Sequence, residues 1–232
     1  MSKGVSFLMK KNGIEVINGR GRLGGKGTVE VEGTDGTKQT VEASHIILAT
    51  GSRPREMKFM PIDGRKLISS KEALVLRELP ESMAVAADTD VSKALERAFR
   101  KMKIGVMTGT TVKDVTVNGD GKCELRIEGK KGEEILTADI VLSAVGIKSN
   151  LEGLGLEEAG ITLQGDKITV DDFYRTNVEG VYAIGDIVHG PALAHVASAE
   201  AICCVEKICG HAPAPIDYTT IPSCVYTTPV SY

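Results

Sequence analysis

Two cysteines, Cys204 and Cys209, have the C-x4-C spacing of a redox-active disulfide. A disulfide there could accept two electrons by opening to the dithiol and return them by closing again. The residues around them read as helix, however, and five helical residues turn the chain through ~500°, which leaves the two sulfurs ~140° apart around the axis. The expectation is therefore buried free thiols, since a free cysteine behaves as a small apolar side chain. The other cysteines, Cys123, Cys203 and Cys224, bring the number to five, and neither the odd count nor the clustering suggests a secreted disulfide framework. A second candidate is the G-x-G-x-x-G formed by Gly19, Gly21 and Gly24. A dinucleotide phosphate loop must run straight into a helix, whose N-terminus holds the pyrophosphate. Here Gly25-Lys26-Gly27 leads into Val29-Glu30-Val31-Glu32, a strand pattern. The glycines read instead as a glycine-rich turn between strands. The third candidate is a pair of segments, HIILATGSRPR at 45–55 and YAIGD at 182–186. Each is an apolar strand ending in small residues, which let a bulky ligand approach the backbone at the carboxyl end of a sheet. An acid directly after such a strand, as Asp186 is, can accept hydrogen bonds from sugar-like hydroxyls.

The elements that would position these residues come as a repeat. Residues 1–11 suggest the end of a helix with Val5, Leu8 and Met9 on one face, stopped at Asn12-Gly13. A short strand at 14–17 is expected next, and then strands at 28–32 and 40–43 around the turn Gly33-Thr34-Asp35-Gly36. The apolar strand of 45–50 ends at Gly51, and its composition suits a parallel strand covered on both faces. The order then recurs: 104–108, strands at 123–128 and 134–137, and an apolar strand at 140–145 stopped by Gly146. Even the lead-ins agree, KKNGIEVING beside RKMKIGVMTG. Such a repeat implies two similar domains or two halves built alike. Further strands are expected at 168–170 and 180–184. A helix with Pro191 in its first turn should follow, ending at Gly210.

The composition is that of an ordinary globular protein, with 42% apolar and 25% charged residues and a net charge of −3. Lys and Arg are spread along the chain, which argues against a nucleic-acid surface. No apolar run approaches the ~18 residues of a membrane span. With no signal-peptide pattern in residues 1–11, the chain reads as cytoplasmic.

ATGS at 49–52, AVG at 144–146 and TNVEGVYAIGDIVHGPALAH at 176–195 resemble the flavoproteins with two dinucleotide-binding domains. Within that group SSKEALVLRELPESM, DVSKALERAF, GLGLEEAGI and IDYTTIPSCVYTTP are most similar to the dihydrolipoamide dehydrogenase family of pyridine nucleotide–disulfide oxidoreductases. The resemblance covers nearly the whole chain and implies an α/β fold, a Rossmann-like FAD/NAD(P)-binding three-layer ββα architecture with β-meanders. It places Gly21, Thr50, Gly51 and Ser52 along FAD. Asp186 would bond the ribityl–pyrophosphate region of FAD, and the backbone of Ala194 would face the flavin. Val112 and Gly146 would face NAD. Ala192 departs from the family, where methionine is common. The implied segments are 1–80, the later part of an FAD domain; 81–150, a remnant of an NAD domain; 151–215, the closing FAD segment; and 216–232, the start of an interface domain.

The resemblance also implies absences. The family's first FAD βαβ unit and redox cysteine pair precede the stretch similar to residue 1, and its interface domain, with the acid/base His-Glu pair, follows the stretch 221–229. Between ELPESM (78–83) and DVSKALERAF (90–99) only AVAADT remains, too little for the ~30 residues of a dinucleotide-binding βαβ unit. None of His45, expected in a strand, His189 and His211, expected in turns, and His195, expected in a helix, matches the catalytic histidine. The expected activity is that of an internal piece. The parent oxidises dihydrolipoamide with NAD+, pairing with a second copy of itself and with lipoyl-bearing 2-oxoacid dehydrogenase components, while these 232 residues alone lack the catalytic residues. The alternatives are a related reductase, such as mercuric reductase, and a non-catalytic FAD-binding or interaction remnant.

Overall fold

The structure is a computed structural model that describes residues 3–87 and 93–222. It divides into two units, Met1–Gly51 with Ser149–Thr219, and Ser52–Lys148 with Thr220–Tyr232. Residues 52–80, read from the sequence with the first segment, thus fall in the second unit.

The first unit opens with the helix Lys3–Lys11, none of whose residues is buried. It ends where Gly13 turns left-handed (φ +66°) and the Ile14 N–H donates to the Met9 carbonyl at 2.9 Å. The expected strand at 14–17 does not form: no ladder partner lies alongside these residues among those described. An antiparallel meander follows, Gly19–Gly25, Thr28–Gly33 and Lys38–Glu42. The glycine triplet lies inside its first strand rather than in a turn. Gly19 faces Gly33, and a Cβ on Gly19 would stand 2.5 Å from the Glu32 carbonyl oxygen. Close backbone approach, not phosphate binding, explains that glycine, and no helix follows the triplet.

The strand Ile46–Leu48 pairs in parallel with Val181–Ala183, with Val181 opposite Ile46 and Ala183 opposite Leu48. Ile46 and Leu48 are buried but Ile47 is 37% exposed, so the strand is covered on one face and not on both. Where strand was expected at 168–170, a two-residue hairpin of Leu163–Gln164 and Lys167–Ile168 forms instead. The helix Ala194–Ile208 starts three residues beyond Pro191, with Leu193 as its N-cap. It stops as expected at Gly210 (φ +83°), where the His211 N–H returns to the Glu206 carbonyl. Leu23, Ile46, Leu48, Ile168, Val181, Ile187 and Val188 share one core beneath the parallel pair. Each such side chain contributes about 1.5–3 kcal/mol by leaving water.

The second unit repeats the plan. The helix Lys93–Lys101 ends at Lys103 (φ +63°), and the Ile104 N–H donates to the Phe99 carbonyl at 2.9 Å. As in the first unit, the expected strand at 104–108 is absent and the ladder begins later. The meander is Thr111–Val117, Cys123–Gly129 and Gly132–Ala138. Its parallel sheet has the order Leu67–Ile68, Ile140–Ala144, Met83–Ala87. Val115, Cys123, Leu125, Ile127 and Val141 form the core between meander and sheet.

Candidate functional site

In the first unit the carboxyl ends of the parallel strands carry two loops. Ala183 leads to the Ile184 N–H, which donates to the Leu48 carbonyl at 3.0 Å, and so the two chains leave the sheet side by side. Beyond Leu48 come Thr50 and Gly51; beyond Ile184 comes a single 3-10 turn, Gly185–Ile187, that contains Asp186. One stretch of chain holds both loops. Asn150 donates through its backbone N–H to the Gly51 carbonyl at 2.9 Å and through its side chain to the Thr50 carbonyl at 3.0 Å. In return its own carbonyl accepts from the Thr50 hydroxyl at 2.7 Å. The adjacent Ser149, 2% exposed, donates to the Asp186 carbonyl at 2.9 Å. Thr50, Gly51 and Asp186, remote in sequence, therefore meet at one place.

Two charged side chains grip the Gly185–Ile187 turn. The Lys167 ammonium donates to the Asp186 carbonyl and, at 3.0 Å, to the Ser149 hydroxyl. From the helix Ala194–Ile208, Glu200 accepts the Gly185 N–H at 2.5 Å. Its other oxygen accepts the Tyr218 hydroxyl at 2.7 Å, and the Tyr174 hydroxyl lies 2.9 Å from that of Tyr218. Burial pushes the Glu200 carboxyl above the usual carboxylate range, with the Asp186 charge adding to the shift while its two donors oppose it. Burial likewise raises the Tyr174 hydroxyl, to about 12, and the Tyr218 hydroxyl.

The arrangement fits a phosphate- and sugar-bearing cofactor on three observations. Gly51 (φ +66°) has open space where a side chain would stand, so a ligand can reach its backbone. The Asp186 carboxyl sits on a turn held from both sides. The helix Ala194–Ile208 starts with no side-chain cap, which leaves first-turn N–H groups and the positive end of the dipole for a ligand. Gly21 lies in the first meander opposite Val31, and Ser52 is the first residue of the second unit. In that unit Val112 stands opposite Ile127 and Gly146 (φ +105°) accepts the Arg55 N–H at 2.9 Å. Val112 and Val145 line one cavity of about 610 Å³.

Cys204 and Cys209 are both free, as expected, and Cys204 is fully buried with its thiol pushed up to about 11 by desolvation, but Cys209 is exposed at the end of the helix, against the expectation that both thiols are buried. His195 is exposed on the helix. His45 precedes its strand rather than lying in it, with its ring against Tyr182. The sequence reading missed Glu200, Tyr218, Lys167 and Asn150. A signal existed for Glu200, which shares the buried face of its helix with Val196, Cys203 and Cys204, where a carboxylate needs a partner.

Two parallel strands with loops converging at their carboxyl ends, and a helix N-terminus beside them, define an α/β nucleotide-cofactor-binding protein. Comparison with known proteins agrees. The profile of the family described as pyridine nucleotide-disulphide oxidoreductase matches residues 1–86 and 65–201. The chain belongs to that family. A dihydrolipoyl dehydrogenase of Chlorobaculum parvum is 38% identical over 261 positions, covering 98% of this chain and 55% of the relative. The mitochondrial dihydrolipoyl dehydrogenase of Homo sapiens is 32% identical over 265 positions, covering 99% and 52%. The crystal structure of LpdA from Mycobacterium tuberculosis superimposes with a TM-score of 0.90 at 24% identity, over 99% of this chain and 57% of that one, which establishes the fold. The chain thus spans about half the length of the curated relatives it matches. Those alignments are longer than the 232 residues here, so the relatives carry residues within the matched span that this chain lacks. The profile matches in two parts that overlap over residues 65–86, next to the segment 84–89 where the sequence leaves no room for a βαβ unit.

Proposed function

We propose that the first unit holds FAD and that the chain is part of a flavoprotein disulfide oxidoreductase of the dihydrolipoyl dehydrogenase type. The observation that carries this reading is the meeting of Thr50-Gly51 and Gly185-Asp186 at the carboxyl ends of the paired strands. Asp186 would bond cofactor hydroxyls, and Gly51 would admit the cofactor to the backbone. The first turn of Ala194–Ile208 would favour developing negative charge by ~0.3–1 kcal/mol. When bound, the flavin supplies the hydride chemistry, and the protein's part is to bind and orient it. Val112 and Gly146 would face NAD in the second unit. In the whole parent the reaction is oxidation of dihydrolipoamide by NAD+, in the cytoplasm, by a homodimer serving lipoyl-bearing 2-oxoacid dehydrogenase components. Among the described residues no helix is long and apolar enough to cross a membrane.

Residues 1–232 alone are not expected to turn over. Only five residues separate the strand Met83–Ala87 from the helix Lys93–Lys101, and the stretch 83–101 is shorter than the ~30 residues of a dinucleotide-binding βαβ unit. Cys204 is buried and Cys209 exposed, so they cannot serve as the redox pair. The test is to add FAD to the purified chain, remove the excess by gel filtration and record the visible spectrum. Protein-bound flavin absorbance, with no NADH formed from dihydrolipoamide and NAD+, is the expected result. No retained flavin would overturn the cofactor assignment, and NADH formation above a no-protein control would overturn the incompetence.

A further inference from the structure

We propose that Glu200 is the positioning residue of the Gly185–Ile187 turn, and that Tyr218 latches the chain beyond the long helix onto it. The inference deepens the FAD reading above and rests on it for the identity of the ligand. Glu200 is 1% exposed, and a carboxylate so buried persists only when its oxygens are satisfied. Both are: one by the Gly185 N–H, the other by Tyr218. The single hydroxyl hydrogen of Tyr218 is committed to Glu200, so the Tyr174 hydroxyl donates to Tyr218 and closes the chain of bonds. Gly185 is left-handed (φ +75°), so its N–H direction is set by the turn itself and the bond fixes the turn against the helix. The Asp186 carbonyl is held by Lys167 and Ser149 from the hairpin side. Asp186 thus stands between two anchors, one on the Ile184–Gly185 peptide and one on the Asp186–Ile187 peptide.

Tyr218 adds a second contact. Its ring lies where a Cβ on Gly190 (φ +139°) would stand, 2.8 Å from the nearest ring carbon. It therefore touches the loop between Asp186 and the helix as well as Glu200. Tyr218 belongs to the short 3-10 turn Tyr218–Thr220, ten residues after the helix ends. Seating of that late segment and order in the cofactor turn are coupled through one hydroxyl and one ring.

A merely structural Glu200 would lower stability without singling out the turn. The test compares the whole chain with Glu200→Ala, Glu200→Gln, Tyr218→Phe and a core truncation of the same unit, Ile161→Val. Three readouts are needed: thermal midpoint, amide exchange of Gly185 by nitrogen-15 NMR, and FAD affinity by fluorescence quenching. Gln can still accept from Gly185 and turn its amide toward Tyr218, so Glu200→Gln should keep Gly185 protection and FAD affinity within about threefold, whereas Glu200→Ala should lose about tenfold in each. Tyr218→Phe should fall between them. Ile161→Val should lower the midpoint without changing Gly185 relative to its neighbours. If Glu200→Ala does not fold, Tyr218→Phe decides alone, and unchanged Gly185 exchange in it would overturn the proposal. So would uniform loss of protection across the unit in Glu200→Ala. If the unmodified chain binds no FAD, the FAD reading fails, while the exchange comparison still decides whether Glu200 holds the turn.

Discussion

The two sheet-and-meander units run the same local program, and they differ in what surrounds it. In each the repeated run begins with a nine-residue helix, Lys3–Lys11 or Lys93–Lys101, ended by a residue in the left-handed region. Each continues through an unpaired run into a three-stranded meander and then an apolar parallel strand, and the left-handed glycines Gly51 and Gly146 follow. The first unit closes its parallel strand against Val181–Ala183 and surrounds the resulting loops with partners: Asn150, Ser149, Lys167 and Glu200. The second unit gathers its apolar core along one meander strand, with Cys123, Leu125 and Ile127 all buried. Yet its parallel strand holds the Ser143 hydroxyl, the one buried side-chain oxygen without a partner among the described residues. Meander and strand therefore form from local signals in both units, whereas a cofactor site also requires polar groups brought from elsewhere in the chain. That requirement is met in the first unit.

The comparison is sharpened most by core truncation. Leu23→Ala in the first meander and Leu125→Ala in the second should each lower unfolding stability by about 2–5 kcal/mol, measured by urea denaturation. A loss below about 1 kcal/mol for Leu125→Ala would break the claim that the second meander carries its own core.

A smaller effect concerns pH. A carboxyl whose folded-state pKa lies above its unfolded value adds stability below the unfolded value and loses it as pH rises through the folded value. Glu200 is such a group; it faces the Tyr218 and Tyr174 hydroxyls and the Asp186 carboxylate. Glu200→Gln should therefore gain on the parent as pH rises from below the ordinary glutamate value of 4.5 through the raised pKa of Glu200, and level off above it. A difference independent of pH would show that Glu200 does not titrate differently in the fold.

Much of this was legible in the sequence. The repeat was visible because KKNGIEVING and RKMKIGVMTG share the spacing of a helix end, and each meander and apolar strand follows from patterns a few residues long. The unpaired runs at 14–17 and 104–108 were misread because their apolar alternation fits a strand, while a strand also needs a neighbour, which spacing cannot reveal. The converse holds for Gly19–Gly25: its glycines lower strand propensity, and pairing with Thr28–Gly33 overrides it. Of the site, Gly51 and Asp186 could be found because small residues after an apolar strand leave a local trace. Asn150, Lys167 and Tyr218 leave none, since their roles depend on contacts up to 100 residues away in sequence.

The smallest effect tests the repeat at its helix ends. Lys103 occupies the left-handed position that Gly13 occupies in the first unit. Lys103→Gly should stabilise by about 0.5–1 kcal/mol, the steric relief exceeding the added freedom of the unfolded chain, and Gly13→Lys should destabilise by about the same. Equal signs for the two substitutions would break the equivalence of the two ends.

The most direct test of the central claim, that the first unit holds the cofactor, is an equilibrium FAD titration of the purified chain beside Asp186→Ala and a second-unit surface control, Ile135→Thr. The account predicts saturable binding to the parent and the control, and a loss of about tenfold or more in Asp186→Ala, as expected for a charged hydrogen-bond acceptor removed from a ligand. Equal affinity of the parent and Asp186→Ala would contradict it.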